Sequence, residues 1–138
     1  MTEFICNSLN DTKIAAEYFS QFAEVGQCFA LFGDLGYGKT TFSKYFIQSL
    51  NKSIKEVPSP TFAIVQIYNS SVAEIWHVDL YRLKSEEEFY ELGVEEALHH
   101  CVTIVEWPEI IQHLLPQNVI KIRILLEGNA RRIISEGG

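Results

Sequence analysis

Eight consecutive residues carry the densest chemistry in the chain: Gly33, Asp34, Leu35, Gly36, Tyr37, Gly38, Lys39 and Thr40. They satisfy the spacing G-x-x-x-x-G-K-[ST], a loop whose glycines let backbone N–H groups converge on phosphate oxygens. In that pattern Lys39 reaches the terminal phosphates and the Thr40 hydroxyl ligates Mg²⁺. A helix that starts at the loop adds the positive end of its dipole to the same place. With glycine at about 7% of residues on average, chance would produce the bare pattern in well under one chain in a hundred of this length. Nucleotide binding with Mg²⁺ is the reading.

A phosphate loop that supports hydrolysis also needs a carboxylate at the end of a neighbouring buried strand, to hold Mg²⁺ directly or through water. "VTIVE" supplies Glu106 there, with Trp107 beside it. "WHVDLYR" supplies a second carboxylate: period-two alternation places His77, Asp79 and Tyr81 on one strand face. That face either turns to solvent or serves a site in which Asp79 positions water or takes a proton and His77 supports it. "VPSPTF" is a proline-stiffened loop presenting the Ser59 and Thr61 hydroxyls. It is either an ordinary loop or a switch segment that senses a γ-phosphate or its Mg²⁺.

These groups must be positioned by elements. "EFIC" reads as an opening strand, followed by a helix over "NDTKIAAEYFSQFAEV" with an apolar stripe of Ile14, Tyr18 and Phe22 and a cap at Asn10 or Asp11. "CFALF" is a continuous apolar run ending at Gly33, as expected of a parallel strand covered on both faces, and Phe42, Tyr45, Phe46, Ser49 and Leu50 recur at helical spacing after the loop. "TFAIVQIY" and "VAEIWHVDLY" form an antiparallel hairpin around "NSS", an acidic helical segment covers Glu86 to Leu98, and "CVTIVEW" is a second buried strand. "PEIIQHLL" is a short helix, and "NVIKIRILLE" and "RRIIS" pair around "GNA". No repeat or linker interrupts residues 1–138, so the expectation is one α/β domain: a P-loop NTPase fold, with a mixed, mainly parallel sheet, flanking helices and a β-hairpin.

Bulk properties narrow the function class. Net charge is −7 with scattered basic residues, which disfavours direct gripping of a nucleic acid backbone by the chain alone. No apolar run approaches the roughly 18 to 20 residues of a membrane span, and Glu3 stands where a signal peptide would carry base, so a cytoplasmic protein without membrane attachment is expected. Cys6, Cys28 and Cys101 are odd in number and lack CxxC spacing, which reads as buried reduced thiols; "HHC" at 99–101 has no second ligand pair for a metal.

The pieces "GDLGYGKTT", "SPTF", "HVDLYR" and "VEWPE", in this order and with "ELGVEEAL" between the last two, resemble the TsaE (YjeE) family of small bacterial P-loop ATPases across nearly the whole chain. The resemblance implies a role in making the threonylcarbamoyl modification of adenosine 37 in tRNAs that read ANN codons. It implies binding to the TsaB–TsaD complex, contact with tRNA only through that complex, and ATP hydrolysis that supports repeated cycles rather than the transfer itself. Carried onto this chain, Asp34 to Thr41 would bind ATP, Lys39, Asp79 and Glu106 would be catalytic, and Thr40 and Glu106 would hold Mg²⁺. Trp107 would pack over the site, while Asn10, Thr12 and Arg131 would approach the nucleotide. Tyr37 departs from the family's usual Ala.

Arg82, Arg123, Arg131 and Arg132 include no obvious cis arginine finger, a group worth about 10³ to 10⁵ in rate, so slow hydrolysis organised by a partner is expected. Trp76, Trp107 and the acidic segment 86–96 either form the docking surface or are a solvated face. The runner-up is a small-molecule P-loop kinase, which commonly needs an arginine-bearing lid that this chain lacks. A GTP switch is disfavoured because "NKSI" lacks the Asp that would pair with guanine.

Overall fold

A computed structural model describes residues 1–34, 36–60 and 64–136. Leu35 of the loop and Thr61 of the switch-like segment lie outside the described residues. The chain order is β1 (Thr2–Cys6), α1 (Leu9–Ser20), β2 (Cys28–Phe32), α2 (Lys39–Leu50), β3 (Val65–Tyr68), β4 (Ile75–Asp79), α3 (Glu86–Glu91), α4 (Val94–His100), β5 (Val102–Glu106), a 3₁₀ segment (Pro108–Leu114), β6 (Ile120–Glu127) and β7 (Ala130–Glu136).

The strands make one seven-stranded sheet in the order β1-β7-β6-β2-β5-β4-β3. Its centre, β6-β2-β5-β4, is parallel, and the pairs β1-β7, β7-β6 and β3-β4 are antiparallel. β2 sits at the middle with all five residues buried, which its unbroken apolar run requires. The mixed α/β architecture and the hairpin therefore match the expectation.

The pleat sorts each strand's residues between two cores. Phe29 and Leu31 of β2, Val102 and Ile104 of β5 and Ile75 of β4 pack with Ala15, Ala16 and Phe19 of α1 and Phe42, Phe46 and Ile47 of α2. On the opposite face Cys28, Val78 and Val105 meet Phe89 of α3, Val94 and Leu98 of α4 and Ile111 of the 3₁₀ segment. Phe46 is fully buried and packs edge-on against Phe29 at 4.7 Å between ring centres. Truncating such a ring costs about 3–5 kcal/mol, and here it would loosen the helix that carries Lys39 and Thr40.

α1 differs from the expected pattern in two respects. Its cap is Ser8, whose hydroxyl accepts from Asp11 N at 3.2 Å, while Asp11 reaches back to Asn7 N at 2.9 Å, a capping box begun two residues ahead of Asn10. Its buried stripe is Thr12, Ala15, Ala16 and Phe19; Ile14 is 51% exposed and Phe22 38%. Small alanines let α1 approach the sheet closely, and the larger side chains rotate outward. The acidic segment is two helices rather than one, because Gly93 takes φ +78°, a left-handed conformation natural to glycine, and starts α4 afresh. The three cysteines are buried and free, and among the described residues no group of three or more His, Cys, Asp or Glu side chains could hold a metal.

Candidate functional site

The carboxyl ends of parallel strands are where open α/β sheets place ligands, and the polar residues gather there. β2 ends at Phe32 and opens into the glycine-rich loop; beside it β5 ends at Glu106, which pairs in register with Leu31 on one side and Asp79 of β4 on the other. His77, Asp79 and Glu106 share the sheet face that α2 covers. At 0%, 3% and 2% exposed they face inward, whereas Tyr81, expected on the same face of β4, lies beyond the end of that strand and is 49% exposed.

α2 begins at Lys39 directly after Gly38, which holds φ +100°, and no side chain caps it. Its first amides are therefore left for an anion, the role that the sequence pattern assigns them. Lys39 is 5% exposed. Its Nζ donates to the carbonyls of Gly33 and, at 3.0 Å, Asp34, and lies 3.9 Å from the centre of the Trp107 ring. Burial pushes Lys39 below the ordinary lysine range, while Glu106, Glu109, Asp79 and Asp34 pull it back up. Trp107 reaches that position because it adopts φ +58°, turning the chain sharply after Glu106. Its ring also packs on Tyr81 at 4.8 Å.

Glu106 accepts from Thr40 Oγ1 at 3.0 Å through Oε1, and through Oε2 it meets Ser43 Oγ at 3.2 Å and His77 Nε2 at 2.6 Å. His77 therefore supports Glu106, not Asp79. Asp79 Oδ1 accepts from Tyr81 N at 2.9 Å, and Asp79 N donates to the carbonyl of Ile64, a β-branched residue at φ +68°. A β-branched side chain in that region is strained, so the segment just after the switch-like loop is held to the backbone of β4 at Asp79 in a strained conformation.

Two cavities flank the loop. One, of about 270 Å³, is lined by Gly36, Gly38, Lys39, Thr40, Thr41, Asp79, Glu106 and Trp107. The other, of about 290 Å³, shares Gly36, Gly38 and Thr41 and extends to Thr12 of α1 and Arg131 of β7. Arg131 Nε donates to Tyr37 O at 3.0 Å, so the tyrosine backbone anchors the loop to β7. Asp34 is exposed and contributes its backbone carbonyl. Asn10 and Ser59 are exposed and line neither cavity. No arginine lines the Lys39 cavity among the described residues.

Sequence reasoning passed over Ser43, although it lies four residues beyond Lys39 on the same helical face. It also passed over Asn7, Ser8, Leu9 and Asn129 in the Arg131 cavity. The S-x-x-D of the capping box was the available signal for the first three; the turn at Asn129 carried none.

A glycine-rich loop between the central parallel strand and an uncapped helix, with a carboxylate on the adjacent strand, defines a P-loop NTPase fold. Its backbone matches a crystal structure of YdiB from Bacillus subtilis with a TM-score of 0.79 and 32% identity, over 99% of this chain and 86% of that one. The family model for "Threonylcarbamoyl adenosine biosynthesis protein TsaE" matches residues 6–134, and the chain belongs to the TsaE family. Curated relatives named tRNA threonylcarbamoyladenosine biosynthesis protein TsaE include one from Rickettsia bellii, 42% identical over 96% of this chain and 92% of its own, and one from Bacillus subtilis, 40% identical over 91% and 78%. None of the helices among the described residues is long and apolar enough to cross a membrane.

Proposed function

We propose that this chain is a Mg²⁺-dependent ATPase that supports formation of N6-threonylcarbamoyladenosine at position 37 of tRNA. It acts in the cytoplasm by binding the TsaB–TsaD complex and meets tRNA only through that complex. The observation that carries the reading is the convergence of Lys39, Thr40, Asp79 and Glu106, from three separate stretches of sequence, on one cavity that continues across the loop into a second.

The donor set fits Mg²⁺: Thr40 Oγ1 and Glu106 Oε1 are hard oxygens 3.0 Å apart on the cavity wall, and both belong to the residue types such a site uses. Thr40 and Glu106 would hold the ion. When bound, it neutralises charge that develops on the transferred phosphoryl oxygens. Lys39, held in waiting on the Gly33 and Asp34 carbonyls, supplies the fixed positive charge for the terminal phosphates, and its partial desolvation strengthens that interaction. Asp79 is the group that orients the attacking water, and the Trp107 ring covers Lys39 against bulk solvent. Arg131 and Thr12 receive the nucleoside side from the second cavity.

Among the described residues no arginine lines the Lys39 cavity, which supports slow turnover alone and a dependence on the partner complex. A thermal-shift series tests the nucleotide assignment. ATP with Mg²⁺ at about 100-fold above its Kd should stabilise the wild-type chain by about 2.7 kcal/mol, with little effect on Lys39→Ala. Stabilisation by GTP and not by ATP would overturn the reading.

A further inference from the structure

We propose that His77 is the positioning residue of the Mg²⁺ carboxylate: its Nε2–H clamps Oε2 of Glu106 so that Oε1 is presented to Thr40 and the cavity. The inference rests on the ATPase reading and assigns to that site a residue outside the loop.

Glu106 has two oxygens with different surroundings. Oε1 meets only the Thr40 hydroxyl among the described side chains, at the cavity wall. Oε2 points into the protein, where it meets His77 Nε2 at 2.6 Å and Ser43 Oγ at 3.2 Å. Those two contacts are unequal. Ser43 Oγ has one hydrogen and a second, closer acceptor in Lys39 O at 2.9 Å, the usual back-bond of a helical serine. His77 has no alternative, so it is the dedicated donor to Oε2.

The ring itself identifies which nitrogen carries the proton. His77 is 0% exposed, and its Nδ1 is buried with no hydrogen-bond partner. A proton on Nδ1 would be a buried donor facing nothing, whereas a bare Nδ1 leaves only an unused lone pair. The arrangement selects the tautomer with hydrogen on Nε2, aimed at Glu106. A residue that merely filled this space, opposite Ile104 of β5, would leave no orphaned nitrogen if it were apolar. Outer partners of this kind orient metal ligands and change metal affinity by about 10- to 100-fold when removed.

The test compares His77→Leu, His77→Gln and wild type for binding of a non-hydrolysable ATP analogue by calorimetry, in EDTA and across a Mg²⁺ series. His77→Leu should bind in EDTA within about twofold of wild type while needing about 10- to 100-fold more Mg²⁺ for the same enhancement. His77→Gln, whose amide nitrogen replaces Nε2, should restore most of the Mg²⁺ response. An unchanged Mg²⁺ requirement in His77→Leu, or equal weakening with and without Mg²⁺, would overturn the role of His77 alone. Failure of the wild-type chain to bind the analogue would overturn the ATPase reading and this one with it. Should the variants not fold, ¹⁵N shifts of the wild-type histidines decide: a proton on Nε2 of His77 supports the clamp, and a ring protonated on Nδ1 alone refutes it.

Discussion

Replacing Glu106 by alanine should separate nucleotide binding from hydrolysis and should also lower stability by an amount that follows from its three donors. Thr40 is half-buried on the cavity wall and can turn to water, and Ser43 keeps its bond to Lys39 O. Only His77 Nε2 is stranded, and a buried donor left unpaired costs about 1–3 kcal/mol. For a domain of this size that corresponds to a fall in Tm of roughly 3 to 10 °C. In the site, the loss of a preorganised electrostatic group is worth about 10²- to 10³-fold in turnover. The nucleotide would still meet the loop amides and Lys39, so affinity in EDTA should stay within a fewfold of wild type. The assay is ADP release at saturating ATP and Mg²⁺, set beside calorimetric binding on the same preparations. Wild-type turnover in Glu106→Ala, or equal losses of EDTA binding and hydrolysis, would refute the assignment of Glu106 to the metal.

Three further outcomes are expected. In a Trp76→Phe background, ATP should change the emission of Trp107, because the Lys39 charge 3.9 Å from its ring is drawn to phosphate; a spectrum unmoved by saturating ATP would place Trp107 outside the site. Gly33→Ala should cost about 1–3 kcal/mol in denaturant midpoint and weaken nucleotide binding, since a Cβ there would stand 2.8 Å from the Ile124 carbonyl; a stability equal to wild type would show that β6 yields freely. Burial pushes the Cys28 thiol up to about 12 from 9.0, so the folded state keeps a proton that the unfolded chain releases above pH 9. Stability from this group is complete below that pH and falls by about 1.4 kcal/mol per unit on the way to 12. Denaturation of wild type and Cys28→Ala from pH 8 to 10 should therefore converge, and parallel curves would contradict it.

What was legible in the sequence was contiguous chemistry. A phosphate loop needs its glycines, lysine and threonine within one short stretch, and a buried parallel strand such as CFALF announces itself by having no polar residue. Glu106 was legible because it terminates a buried strand, and Asp79 because alternation placed it with His77 on one unusually polar strand face; the register then brings the two together. His77 was misdirected because partner choice is set by register: the strand offset that puts Asp79 opposite Glu106 also lets the longer histidine side chain reach Glu106 from two residues earlier. The α1 stripe failed for a packing reason. Periodicity of large apolar residues picked Ile14 and Phe22, whereas the interface selects Ala15 and Ala16, whose small size lets the helix sit close. The second cavity draws on β7 and the residues preceding α1, which are far apart in sequence and are brought together by β1–β7 pairing.

The most direct measurement is ADP release from ATP by this chain, alone and with purified TsaB–TsaD, with Lys39→Ala as the blank. The account predicts a slow basal rate that is abolished in the blank and altered when the complex is added. A rate indifferent to the complex, or no hydrolysis under either condition, would contradict it.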